Sequence, residues 1–177
     1  EKMGLDICWV AEAWGADAVS ALGYYAACTD RMLLGSGIIQ LSTRTPIAIA
    51  QAAITLSNLS GGRFLLGLGA SGPQVIEGLH GQSFDRPLGR MRETIEIIRQ
   101  AISGDRIAYN GKHFQIPRPD SATKPMRLSM RAEHRIPLYL ASLTPAMLAL
   151  TGEVADGWLG PSFVPEGADA AYFPHLD

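Results

Sequence analysis

Cysteine is scarce: Cys8 and Cys28 are the only two in 177 residues, too few for a disulfide framework. They read as two buried apolar thiols, Cys8 in a strand and Cys28 on a helix, in a reducing cytoplasm. An excess of one charge is also missing. Fifteen Lys and Arg stand against seventeen Asp and Glu, for a net charge of −2. That balance offers no attraction to nucleic acid or to an anionic membrane. No apolar run approaches the ~20 residues that a spanning helix needs. The four histidines (His80, His113, His134 and His175) are scattered, without HExxH or any close ligand spacing, so no metal is expected. A GxSxG elbow and a Walker A loop are absent too, and nothing else signals nucleophilic catalysis.

What is present is a repeated unit. Residues 32–41 form an apolar run with Gly35 and Gly37 inside it, and residues 63–69 form a second, non-alternating run closing on small residues. Between them Thr45-Pro46 opens a helix, with Thr as N-cap and Pro in the first turn. Ser60-Gly61-Gly62 stops that helix. Non-alternating strands joined by a helix predict parallel strands covered on both faces.

The pattern recurs along the chain. Residues 1–4 read as the last turn of a helix with Gly4 as its C-cap, and residues 5–11 as a strand ending at Glu12. Asp17 caps a helix reaching Cys28, with Leu22, Tyr25 and Ala26 on one face. A short helix is expected near residues 74–79. Residues 88–103 form the clearest helix, Met91, Ile95, Ile98 and Ile102 lying on one face and Gly104 ending it. Residues 105–135 are an irregular, Pro-rich excursion with a small hairpin, 108–109 against 113–116, around Asn110-Gly111. A strand at 137–141 follows, then a helix opened by Thr144-Pro145 and running to about Ala155, then a short strand at 158–160. From Pro161 onward a loop is expected, with a further helix near residues 167–172.

Alternating strands and helices leave two architectures, a (β/α)8 barrel or an open doubly wound sheet. In both, ligands bind at the C-terminal ends of the strands, here Glu12, Leu41, Gly69 and Ala141-Ser142. Gly67-Leu68-Gly69-Ala70-Ser71-Gly72 matches GxGxxG. However, Pro73 interrupts, and an amphipathic helix occupies the place where a second strand with its acidic end is required. The nicotinamide reading is therefore disfavoured, and the small residues are read as letting something bulky approach the backbone. Gly35 and Gly37 mark either a bulge facing a ligand or the close packing of a neighbouring helix. Ser142, Leu143 and Thr144 at a helix N-terminus form either an anion site or a simple cap. Glu12, beside Trp14, is favoured as a functional strand-end carboxylate.

Several blocks in order, Trp9-Val10-Ala11-Glu12-Ala13-Trp14, Gly35-Ser36-Gly37-Ile38-Ile39-Gln40-Leu41, Arg44-Thr45-Pro46, Leu59-Ser60-Gly61-Gly62-Arg63-Phe64 and GLGASGPQV at 67–75, resemble the bacterial luciferase-like monooxygenase superfamily, in its coenzyme F420-dependent branch. The GEVADGWLG block at 152–160 fits as well. The resemblance implies a (β/α)8 TIM barrel, present here as about five of eight strands in one partial domain, residues 1–177. A barrel takes ~250 residues, so the active protein is expected to be longer. The resemblance also implies a bulge at Gly37-Ile38, often with a non-prolyl cis peptide, against the back of a flavin-like ring. Gln40 would reach the ring edge, Gly69, Ala70 and Ser71 would line the cofactor, and Ser142, Leu143 and Thr144 would hold its phosphate. Glu12 and Trp14 are the expected catalytic residues.

Two departures set this chain apart. Ala13 stands where many relatives carry a histidine, and Gly72 where sugar-phosphate dehydrogenases that use F420 carry a glutamate. The implied chemistry is hydride transfer between the deazaflavin F420 and an organic substrate. An FMN-dependent monooxygenase and a non-catalytic flavin-binding protein are the alternatives. The expected partners are a small-molecule substrate and a second copy of the chain in a homodimer.

Overall fold

The computed structural model describes residues 1–160 and 163–176. The loop expected from Pro161 begins outside the described residues. The elements run β1 (Ile7–Val10), α1 (Ala18–Cys28), β2 (Leu33–Ser36), β3 (Ile39–Gln40), α2 (Pro46–Leu59), β4 (Phe64–Gly69), α3 (Pro73–Ile76), α4 (Pro87–Ser103), β5 (Tyr109–Asn110), β6 (Gln115–Ile116), β7 (Leu138–Ala141), α5 (Pro145–Val154), β8 (Gly157–Leu159), α6 (Pro165–Ala171) and α7 (Phe173–Leu176). The parallel sheet has the order β1-β2-β4-β7-β8, with β3 continuing the path of β2 and pairing with β4. The strands follow the chain without a reversal of direction across the sheet. That order lacks the switch point of a doubly wound nucleotide fold, so the barrel architecture holds, in the form of an incomplete barrel.

One layer of helices meets one face of the sheet. Leu34, Phe64, Leu66, Leu68, Leu138 and Leu140 pack with Leu22 of α1, Ile49 and Ala53 of α2, Ile95 and Ile98 of α4, and Met147 and Leu150 of α5 in one core. Each such aliphatic side chain contributes about 1.5–3 kcal/mol on full burial. Local chemistry sets the helix starts. The side chains of Asp17, Thr45 and Thr144 accept from the N–H of Ser20, Ala48 and Met147, each satisfying one orphan donor of the first turn. Gly104 ends α4 in the left-handed region at φ 84°, where glycine carries no Cβ penalty.

The inner face is filled differently. By register, Trp9, Gly35, Leu65, Gly67, Tyr139 and Gly157 share it. The Trp9 and Tyr139 rings meet edge to face, 5.3 Å between centroids, an arrangement aromatic quadrupoles favour. A Cβ on Gly35 would overlap the Trp9 indole, and one on Gly157 would overlap the Tyr139 ring. Large and small residues thus alternate across neighbouring strands to floor the half-barrel. Gly35 therefore makes room for an indole from β1.

The strand starts are locked at the opposite end from the ligand rim. Arg63, just before β4, donates from Nε to the Ser60 carbonyl, from Nη1 to Thr29 Oγ1 and the Met32 carbonyl, and from Nη2 to the Ala26 and Thr29 carbonyls. One guanidinium fork so closes the C-terminal end of α1 and the head of β2.

Several expectations shift, the strand read at 5–11 shortening to β1 and the run at 32–41 dividing into β2 and β3. The hairpin pairs Tyr109–Asn110 with Gln115–Ile116, a shorter ladder than read. Glu93 of α4 anchors it, accepting the N–H groups of Lys112, His113 and Phe114 at 2.8–2.9 Å. The last strand starts one residue early, at Gly157, and Cys28 is exposed and Cys8 half-buried. Cys28 sits on the last turn of α1, whose buried stripe is Ala18, Leu22 and Ala26, which turns the thiol outward. Tyr25 likewise lies off that stripe, exposed.

Candidate active site

The parallel register brings the strand ends to one rim. Gln40, Gly69, Ala141 and Leu159 lie in one row across β3, β4, β7 and β8. This row sits one inner-facing layer above Gly67, Tyr139 and Gly157. Between Gln40 and Leu159, Gly69 and Ala141 keep the middle of the row small, over the aromatic floor. The Ile38 side chain lies across Gly69, where a Cβ would come within 2.9 Å of it and 3.3 Å of the Ala141 Cβ. The Gly37-Ile38 peptide is cis, at the position the resemblance implied. Gly37 backs onto Trp9, whose Cβ would lie 3.2 Å from a Cβ added there. Beyond that row, Ala70 is half-buried and Ser71 is exposed, with φ 61°, which turns the chain sharply into α3.

Gln40 joins the rim to β1. It is 0% exposed, and its Nε2 donates to the Glu12 carbonyl at 2.9 Å and the Ala13 carbonyl at 3.4 Å. The side chain takes over where the β1 ladder has ended, and its Oε1 is buried without a partner.

Glu12 is more constrained than its position in the sequence implied. Oε1 accepts the Ala18 N–H at 3.3 Å, and Oε2 accepts from Arg44. Arg44 also pairs with Asp17. Burial opposes the charge of Arg44, but the two carboxylates outweigh it and raise the guanidinium pKa above its ordinary value. Hydrogen bonds from Ser20, with Arg44 nearby, hold the Asp17 carboxyl below its ordinary value. A cleft of about 350 Å³ opens here, lined by Glu12, Ala13, Asp17, Gln40, Arg44 and His80 among others.

Trp14 is 80% exposed. With Gln74, Val75 and Leu79 it lines an adjoining, mostly apolar cleft of about 320 Å³. Arg44 and His80 escaped assignment from sequence alone. Arg44 meets Glu12 across 32 residues, and only the Arg44-Thr45-Pro46 block hinted at it. His80 had no signal beyond its loop.

The β7–α5 turn shows the cap reading of Ser142, Leu143 and Thr144. Ser142 is 3% exposed, and its hydroxyl bonds Thr151 at 2.9 Å while its carbonyl accepts from Trp158 Nε1 at 2.9 Å. Thr144 caps Met147. Both hydroxyls are thus used within the chain. Leu143 and Thr144 are exposed beside the α5 N-terminus.

The rim's residues fit a flavin-like ring: Ile38 lies over Gly69 beside Ala141, Ala70 follows half-buried, and a helix N-terminus stands two strands from Gln40. The GxGxxG glycines serve other ends. A Cβ on Gly67 would overlap the Ser36 carbonyl oxygen, so Gly67 is set by how closely β4 approaches β2.

Parallel strands whose C-terminal ends meet at one rim are the ligand-binding geometry of (β/α)8 barrels. The chain belongs to the luciferase-like monooxygenase family, whose model matches residues 1–177. It is similar, at 44% identity over 176 residues, to a Mycobacterium tuberculosis protein with the provisional name coenzyme F420-dependent oxidoreductase Rv3520c. The match covers 95% of this chain and 50% of that protein. It is 33% identical to the 5,10-methylenetetrahydromethanopterin reductase of Archaeoglobus fulgidus, over 90% of this chain and 46% of that one. The solved structure of the coenzyme F420-dependent tetrahydromethanopterin reductase of Methanopyrus kandleri superposes with a TM-score of 0.84 at 25% identity. That match covers 99% of this chain and 53% of that one. The chain thus spans about half the length of the relatives it matches. No helix among the described residues is long and apolar enough to cross a membrane.

Proposed function

We propose that the protein to which this chain belongs is an F420-dependent oxidoreductase acting on a small organic substrate. The observation that carries the reading is the rim layer, where the Ile38 side chain lies over Gly69 on the strand beside Ala141, next to the unpartnered Gln40 Oε1. The relatives named for F420 support it. The bound deazaflavin supplies a two-electron hydride exchange at its C5. The chain contributes position and dryness. Gly69 makes room for the Ile38 side chain, which with Gly37 backs the ring, Ala70 and Ser71 line it, and Gln40 meets its edge. The start of α5 at Ser142, Leu143 and Thr144 offers the positive end of a helix dipole to the phosphate.

Trp14, with Val75 and Leu79, offers the substrate an apolar wall. With both oxygens engaged, Glu12 holds the rim through Arg44, and moving a proton would require it to leave that pair. A homodimer and a cytoplasmic setting belong to the same proposal, the latter supported by two unpaired thiols.

The test is titration of the protein with F420 and with FMN, followed by absorbance and fluorescence. Saturable F420 binding and hydride exchange with a substrate are expected. Preference for FMN, or binding without hydride exchange, would replace this reading by one of the two alternatives.

A further inference from the structure

Between α4 and the N-terminal halves of β4 and β7 the packing is not closed. Ile95, Ile98 and Ile102, on one face of α4, stand opposite Leu66 and Leu138, which are register partners on the outer face of the sheet. With Ile136 they line a cavity of about 240 Å³. Leu66, Ile95, Ile98 and Leu138 are buried, so the floor of the cavity is aliphatic. Protein interiors leave few voids larger than a water molecule, and an apolar one takes up apolar molecules in preference to water.

The mouth is charged, and unevenly. Arg99, Arg135 and Asp156 line it, all three exposed. Asp156 is already engaged: Oδ1 accepts from Arg135, and Oδ2 accepts the Leu138 N–H at 2.8 Å. Arg99 donates from Nη2 to the Val154 carbonyl. Among the described residues no carboxylate lies within ion-pair distance of Arg99. One uncompensated positive charge therefore stands above an aliphatic floor. A guanidinium fork matches a carboxylate, whereas an ammonium group would be repelled and a plain hydrocarbon would gain nothing from Arg99.

We propose that this cavity binds an aliphatic monocarboxylate, its tail among the three isoleucines of α4, Ile136 and the two leucines, and its carboxylate on Arg99. The site stands apart from the rim. Leu66 and Leu138 pair three residues before Gly69 and Ala141 in the same register, and on the opposite face of the sheet. Three strand residues span about 10 Å. The inference thus does not depend on the F420 reading, and the two can fail separately.

The test titrates the whole protein, labelled at the isoleucine methyl groups, with butanoate, hexanoate and octanoate and follows it by NMR. Saturable shifts are expected at Ile95, Ile98, Ile102 and Ile136, with affinity rising about fourfold for each added methylene until the cavity is full. Hexan-1-ol has the tail without the charge. It is expected to bind about twofold to fivefold more weakly than hexanoate, the range for an exposed ion pair, and Arg99→Gln is expected to remove that difference. Ile102→Phe, which fills the cavity, is expected to abolish the shifts at the other three isoleucines. Should that variant fail to fold, as judged by circular dichroism, the chain-length series on the unaltered protein decides the matter. Shifts without dependence on chain length, or equal binding of hexanoate and hexan-1-ol, overturn the inference. Saturable shifts at Ile38 in place of the four isoleucines overturn it as well.

Discussion

Replacing Arg63 by alanine withdraws five hydrogen bonds at once, at 2.7–3.1 Å, to the carbonyls of Ala26, Thr29, Met32 and Ser60 and to Thr29 Oγ1. Bonds to a charged group contribute about 1.5–3 kcal/mol each when fully buried. These five share one part-buried side chain, so water replaces some of them and they do not add. The three that tie α1 and β2 to the start of β4, those to Ala26, Thr29 and Met32, are the hardest to replace. At about 1 kcal/mol net for each, the loss is about 3 kcal/mol, a large share of a total stability of about 5–15 kcal/mol. Arg63→Lys keeps the charge but not the planar fork, and about half the loss is expected. Urea unfolding followed by circular dichroism checks both, through a lower midpoint at an unchanged slope. If Arg63→Ala stays within about 1 kcal/mol of the parent, the lock does not exist.

Three further outcomes are expected. Gly67→Ala sets a Cβ against the Ser36 backbone, where nothing flexible can yield, so near-UV circular dichroism should show lost native packing. Gly35→Ala meets the Trp9 indole instead, and pairing it with Trp9→Leu should recover much of the lost stability, which a double-mutant cycle measures. Burial disfavours the Glu93 carboxylate, but the N–H groups of His113, Lys112 and Phe114 outweigh it, and its pKa falls below 4.5. Its contribution is therefore complete above the ordinary carboxylate range and is lost as pH drops through the lowered folded value. Amide exchange at residues 112–114 should rise over that acidic window and, in Glu93→Gln, at neutral pH too.

Local chemistry was legible and long-range chemistry was not. Thr45-Pro46 and Thr144-Pro145 marked their helices because cap and first turn are adjacent in the chain, and both helices begin at the proline. The spacing of Met91, Ile95 and Ile98 reported a face that is indeed buried. Gly35 could not be interpreted alone, since its reason is Trp9, 26 positions earlier and opposite it only in register. The engagement of Glu12 by Arg44 and of Ser142 by Thr151 was hidden for the same reason. Each residue type was recognisable, while its partner depended on strand order. The family blocks also mixed two kinds of residue. Gly37, Ile38, Gln40 and Gly69 crowd the rim, whereas the Ser60-Gly61-Gly62-Arg63 block belongs to the locked end.

That polarity has an evolutionary consequence. The groups that keep the strands together and the groups that would meet a ligand at the rim lie at opposite ends of the same parallel strands, about one strand length apart. Trp14, Val75 and Leu79 can be exchanged for other shapes with little effect on the Arg63 fork or on the core beneath the helices. A lineage built on this plan can drift from one substrate to another while its folding machinery stays untouched.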